Sequence, residues 1–189
     1  MTEPMKRNYH STHLLDMCEH KLLLEEFLVK KSDINTRDNE GKNALYWAIK
    51  NQSISNTSIL LKYKVDLMVS SELHALFHAI ESQNLSALIA LLKEGLDINM
   101  QNTTGQTLLM KALEVESIMM VRYLVNHGAD LDIMDEEYNM AIDYAKLCKN
   151  SDVYNLIYYK LLYEELKIEQ KDCIGCEFAQ SSCNEMKEF

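Results

Sequence analysis

Apolar and polar positions along this chain recur in a block of about 33 residues, most complete between Asn102 and Asp132 (NTTGQTLLMKALEVESIMMVRYLVNHGADLD). A polar turn (Thr103, Thr104, Gly105) leads into a short apolar-faced segment, Thr107 to Glu114. A second segment, Ser117 to Asn126, ends at Gly128, which can close a helix by taking positive φ without a Cβ clash. The pattern predicts turn, helix, helix, turn. Two short helices cannot bury their own apolar face, so such a unit must stack on copies of itself. The copies are visible as columns. Ala48, Ala79, Ala112 and Ala145 lie 31, 33 and 33 residues apart, and Leu45, Leu76, Leu109 and Ile142 keep the same spacing. Asp33, Asp66, Asp97 and Asp130 follow at 33, 31 and 33. Three columns in one register predict an all-α solenoid of about five units.

The residues in register are Asp38, Gly41, Leu45, Ala48, Leu60, Leu61 and Asp66; Leu76, Ala79, Leu91, Leu92, Gly95, Asp97 and Asn99; and Gly105, Thr107, Leu109, Ala112, Leu124, Gly128, Ala129 and Asp130. The unit they define resembles the ankyrin repeat, whose pattern runs D-x-x-G-x-T-P-L-H-x-A, two helices, then L-L-x-x-G-A-D-x-N. The resemblance covers about residues 11 to 167. It implies an ankyrin-repeat domain over 11–168, with repeats at about 11–36, 37–68, 69–101, 102–134 and 135–168. Residues 1–10 are expected to fray, and 169–189 to form a flexible tail that carries Cys173, Cys176 and Cys183.

Departures from the pattern carry their own expectations. In the degenerate first unit Cys18 takes the small Ala place. Ala44 and Leu108 stand where Pro is usual, which the first helical turn tolerates. Lys64 replaces the Gly that ends the second helix, so that helix end is expected to differ. The third unit is two residues short before its first helix, with Ser70, Ser71 and Glu72 in place of the Asp-x-x-Gly turn, and a shorter hairpin finger is expected. Tyr138 replaces the turn Gly of the fifth unit. A longer last helix, Val153 to about Ile168, is expected to cap the stack with Tyr154, Tyr158, Tyr159 and Tyr163. Met100, Met110, Met119, Met120, Met134 and Met140 read as core filler.

Charge and composition narrow the function. The formal net charge is −10 and no Lys/Arg run exceeds two, which argues against nucleic acid or an anionic membrane surface as partner. No apolar run approaches the ~20 residues of a membrane span, and the start, MTEPMKRNYHSTHLLD, has no signal-peptide pattern. Five Cys without such a signal point to reduced thiols and a cytoplasmic setting. Phosphate loops, G-x-S-x-G and H-E-x-x-H are absent, so neither catalysis nor a cofactor is expected. His74 and His78 lie four apart on a predicted helix, but two ligands do not make a metal site, and a local bond from His74 to its own turn is the better reading. Cys173-x-x-Cys176 with Cys183 supplies three of the four ligands that structural zinc needs, a weak candidate beside three reduced thiols.

What the resemblance implies is non-catalytic binding of a partner protein through the concave groove and the turn tips. The groove column is Trp47, His78, Lys111 and Tyr144. Lone Trp residues are as often core as contact, but the other members of this column are polar or amphipathic. The tips add Asn39, Glu40, Lys42, Thr103, Thr104 and Gln106, and the first-helix ends add Lys50 and Glu114. A monomer is expected. An adaptor, scaffold, sequestering inhibitor or bacterial effector of host proteins would all fit. Alternatives from other classes are a thiol- or zinc-responsive regulator using the Cys tail, and a subunit that self-assembles through its Tyr-rich last helix.

Overall fold

A computed structural model describes residues 9–19, 24, 30–31 and 33–172, with side chains for 14–19, 24, 30–31, 33–163 and 166. The described residues form helix pairs separated by hairpin fingers. After α1 (Tyr9–Glu19) come α2 (Ala44–Lys50) with α3 (Ile54–Lys62), and α4 (Ala75–Glu81) with α5 (Leu85–Lys93). Then follow α6 (Leu108–Glu114) with α7 (Ile118–Asn126), and α8 (Ala141–Leu147) with α9 (Ser151–Asp172). The last helix runs past the predicted end at 168, and α1 begins at Tyr9, inside the stretch expected to fray.

The first helix of each pair starts for a local reason. Asn43, His74 and Thr107 occupy one column, and each accepts a backbone N–H of the first turn through its side chain, from Tyr46, Leu76 and Met110. Met140 has no oxygen to offer, and the Asp143 carboxylate reaches back to its backbone N–H instead. Three of the first helices, α2, α4 and α6, end on a left-handed residue that is not glycine: Gln52, Gln83 and Glu116. Behind them Ser53, Asn84 and Ser117 donate to the carbonyls of Ala48, Ala79 and Ala112, so the Ala column accepts the closing bond of each helix. Lys64 also takes a left-handed φ of 60°, and Val65 closes that helix on the Leu60 carbonyl. The helix end therefore does not differ from the pattern as expected; Lys64 adopts the glycine conformation at a cost of about 1–2 kcal/mol.

The first helices stack in one layer, α2 on α4 on α6 on α8. Their Ala and Leu columns are fully buried through the fourth unit, and the core runs unbroken along the layer. In the outer layer α3 packs on α5 and α7 on α9, whereas α5 and α7 barely meet. Two of the methionines read as core filler, Met119 and Met134, are exposed because they sit on outer or finger surfaces. Tyr154 packs on the core, but Tyr158, Tyr159 and Tyr163 are exposed and do not cap it.

The fingers tie the units together. In the second finger (33–43) the Arg37 guanidinium donates to the Gly41 carbonyl of its own turn and to the Met68 carbonyl and Asp66 carboxylate of the third. Asn35 accepts the Asp66 N–H. The fourth finger (97–107) repeats this device. Gln101 bridges the Gly105 and Met134 carbonyls, and Asn99 accepts the Asp130 N–H. The shortening of the third unit lies in the incoming arm. Asp66 to Val69 spans three positions, where Asp33 to Asp38 and Asp97 to Asn102 span five. Its tip keeps full length, with Val69 N–H bonded to Leu73 O at 2.9 Å as Asp38 is to Lys42 and Asn102 to Gln106. The two missing positions leave Met68 where the others have both an Asn and an Arg or Gln. Met68 has no donor for the fourth finger. At net values near 1 kcal/mol per bond, the third-to-fourth junction lacks roughly 2–3 kcal/mol of cross-linking.

Where the fourth and fifth fingers meet they leave no room. A Cβ on Gly105 (φ +75°) would sit 2.8 Å from the Glu136 nitrogen, whereas one on Gly41, at the same φ, would meet nothing within 4 Å. Both Gly→Ala changes incur the left-handed cost of about 1–2 kcal/mol, and Gly105→Ala adds the clash. Thermal unfolding of the pair should show the larger loss for Gly105→Ala; equal losses would mean the two fingers are not in contact.

Candidate functional site

The first helices and fingers share one face, and the column Trp47, His78, Lys111, Tyr144 runs along it. Trp47 is half-buried and donates its indole N–H to Asp38 Oδ2 at 2.9 Å. Tyr46 stands edge-on to it, 5.3 Å between ring centres. Lys42 and Lys50 place their ammonium groups 5.3 and 4.9 Å from the Trp47 ring and 4.6 and 5.8 Å from that of Tyr46. Such contacts contribute about 0.5–1 kcal/mol when exposed. Burial opposes ionisation of Asp38, but bonds from the Lys42 and Glu40 backbone and the Trp47 indole outweigh it and hold the carboxyl below its usual range.

At the other end Tyr144 repeats the arrangement. Its hydroxyl donates to Asp135 Oδ2 at 2.7 Å and accepts from Gln106 at 2.9 Å. Burial, then the Asp135 charge, raises its pKa despite the Gln106 bond. Gln106 reaches Glu114 at 3.3 Å, and Lys111 bridges Glu114 at 3.3 Å and Glu81 at 3.4 Å. One polar chain, Asp135–Tyr144–Gln106–Glu114–Lys111–Glu81, therefore spans three units. The side chains are held before anything binds, which lowers the ordering cost of association.

His78 does not join this surface as predicted. The third finger has Val69, fully buried, where Asp38 and Asp135 supply the acceptor for the column residue. The His78 ring turns inward. It is 4% exposed, stacks on Tyr46 at 4.1 Å, and donates from Nε2 to the Tyr46 carbonyl at 3.1 Å. Burial pushes its pKa down to about 4, with Lys50 and Lys42 adding to the shift against the carbonyl bond. His74, four residues earlier, serves as a helix cap.

At the tips Asn39, Glu40, Thr103 and Thr104 are exposed, and Lys42 pairs with Glu40. Lys50 and Glu114 lie exposed at helix ends. Sequence reasoning missed Tyr46, which links Trp47, both lysines and His78, and it missed Asp38 and Asp135 as anchors. The nine-residue offset shared by Asp38–Trp47 and Asp135–Tyr144 was the available signal. Cys18 is buried with its thiol pushed up to about 12, and burial followed by Glu116 raises that of Cys148. Cys173, Cys176 and Cys183 lie outside the described residues. Among the described residues no three His, Cys, Asp or Glu side chains gather as a metal site would require, and no helix is long and apolar enough to cross a membrane.

A family model for ankyrin repeats, three copies, matches residues 13–102 and 76–172. The chain belongs to the ankyrin-repeat family. An ankyrin repeat protein of fowlpox virus (strain NVSL), FPV022, is 30% identical over 138 residues, 71% of this chain and 24% of the relative. The chain thus spans about a quarter of the relative it matches. The helical stack and its capped, finger-joined units are those of the ankyrin repeat, a fold that generally serves as a protein-interaction module.

His78 sets a pH dependence for this ankyrin array. Between its ordinary pKa of 6.5 and about 4, the unfolded chain binds a proton that the folded chain refuses. Stability should therefore fall as pH drops through that window, at up to about 1.4 kcal/mol per pH unit. His78→Gln, which can still donate to the Tyr46 carbonyl, should flatten the slope in urea titrations at pH 7, 6, 5 and 4. An unchanged slope would place the acid sensitivity elsewhere.

Proposed function

We propose that this chain is a non-catalytic protein-binding module that holds a partner on the face built by its first helices and finger tips. The observation that carries the proposal is the pre-ordering of that face. Trp47 and Tyr46 under Lys42 and Lys50 form one contact area, and the Tyr144–Gln106–Glu114–Lys111–Glu81 chain forms a second. Part-exposed aromatic and charged side chains fixed by their neighbours are the composition from which binding hot spots are built. An adaptor, a scaffold or a sequestering inhibitor would each use such a face, and the partner decides among them.

A second reading, self-association, draws support from α9. Tyr158, Tyr159, Leu162, Tyr163 and Leu166 are 45, 64, 38, 54 and 49% exposed along it. Dimers formed this way would show a mass that rises with concentration in light scattering, and a constant monomer mass would remove this reading.

The main proposal is tested by affinity capture with three baits: the wild-type chain, a Trp47→Ala/Lys111→Ala variant, and a chain ending at Asp172. Prey retained by the shortened chain but reduced tenfold or more by the double variant is the expected result. Prey kept by the double variant and lost on shortening would move binding to the Cys-bearing residues beyond 172.

A further inference from the structure

The junction between the third and fourth fingers, which lacks the side-chain staples of its neighbours, opens into a cleft of about 440 Å³. Its floor is apolar: Met68, Leu73, Phe77 and Met100. Two carboxylates, Glu72 and Glu81, and one cation, Lys111, stand on its lining. Flexible methionine walls adapt to an entering side chain. The charge is unbalanced. Glu81 shares the single Lys111 ammonium with Glu114, while Glu72 makes no ion pair among the described residues. The two carboxylates of the lining therefore outnumber its one cation, which Glu114 outside the cleft also shares, in a chain whose formal net charge is already −10.

We propose that this cleft receives an arginine or lysine side chain from the partner, its methylenes against Met68, Leu73, Phe77 and Met100 and its charged end at Glu72 and Glu81. The proposal rests on the protein-binding reading and names the chemistry of the bound segment. A long basic side chain fits because its stem is apolar and its head cationic. A guanidinium further matches carboxylates in fork geometry. A wholly apolar side chain would fill the floor but leave Glu72 without an ion-pair partner and Glu81 with only its share of Lys111, and an acidic one would be repelled. His74, also on the lining, adds no opposing charge at neutral pH, because burial lowers its pKa against the pull of Asp66.

The test uses a phage-displayed random 12-mer library selected on the full chain, then synthetic winners measured by fluorescence polarisation. The expected motif is Arg or Lys beside a large apolar residue. Replacing that Arg by its uncharged isostere citrulline should weaken binding at least tenfold, and Glu72→Gln/Glu81→Gln in the protein should weaken it similarly. Met68→Trp, which fills the cleft, should abolish it. The double Gln variant changes exposed side chains only, and circular dichroism checks that each variant folds. Winners without a cationic residue, no enrichment at all, or binding indifferent to the Gln and Trp variants would overturn the inference. A Trp47→Ala/Lys50→Ala arm separates the two levels. Binding lost there but kept in the cleft variants removes the cleft and leaves the groove, whereas binding kept in every variant removes both.

Discussion

The structure depends on how each finger is fastened to the next. A two-helix unit gains little by itself, so the array exists only through its interfaces. The buried Leu and Ala columns supply the apolar part, and that part is nearly the same at every junction. The polar part is not. Arg37 with Asn35, and Gln101 with Asn99, each bridge to the following finger, and neither device exists at Met68. The same junction is the one where the outer helices α5 and α7 barely meet. One short arm therefore divides the array into two better-fastened halves, and the cleft lies along the division.

The face used for binding follows from the same geometry. Where a finger tip keeps its Asp, the column residue on the following helix is drawn up to it, as Trp47 is to Asp38 and Tyr144 to Asp135. Where Val69 replaces that Asp, the column residue His78 is buried against Tyr46 and bonds to its carbonyl instead. The contact areas on either side thus differ in kind, aromatic and cationic toward α2, hydrogen-bonded and acidic toward α6 and α8.

Most of the fold could be read from the sequence because its cause is periodic. Ala48, Ala79 and Ala112 are small for one reason each time, and repetition makes that reason visible. Helix caps at Asn43, His74 and Thr107 share a column for the same cause. What escaped were pairings between columns. Nothing in the single letter at 78 says that it will be buried; that follows from the letter nine positions earlier. Likewise the two-residue gap before Val69 was visible, but its place in the incoming arm, and hence the loss of both staples, appears only when backbone partners are known. Lys64 and Tyr138 show the other limit. Both adopt left-handed backbone because stacking fixes the path of the chain, overriding the residue's own preference.

The central claim is that the third-to-fourth junction is the weakest seam of the array, and native-state hydrogen exchange tests it most directly. Backbone amides of α6 and α8 should open with a free energy and denaturant dependence distinct from those of α2 and α4, reporting two separable cooperative units. A single opening energy shared by amides on both sides of Met68 would contradict the account, because it would mean that the missing staples leave the junction as strong as its neighbours.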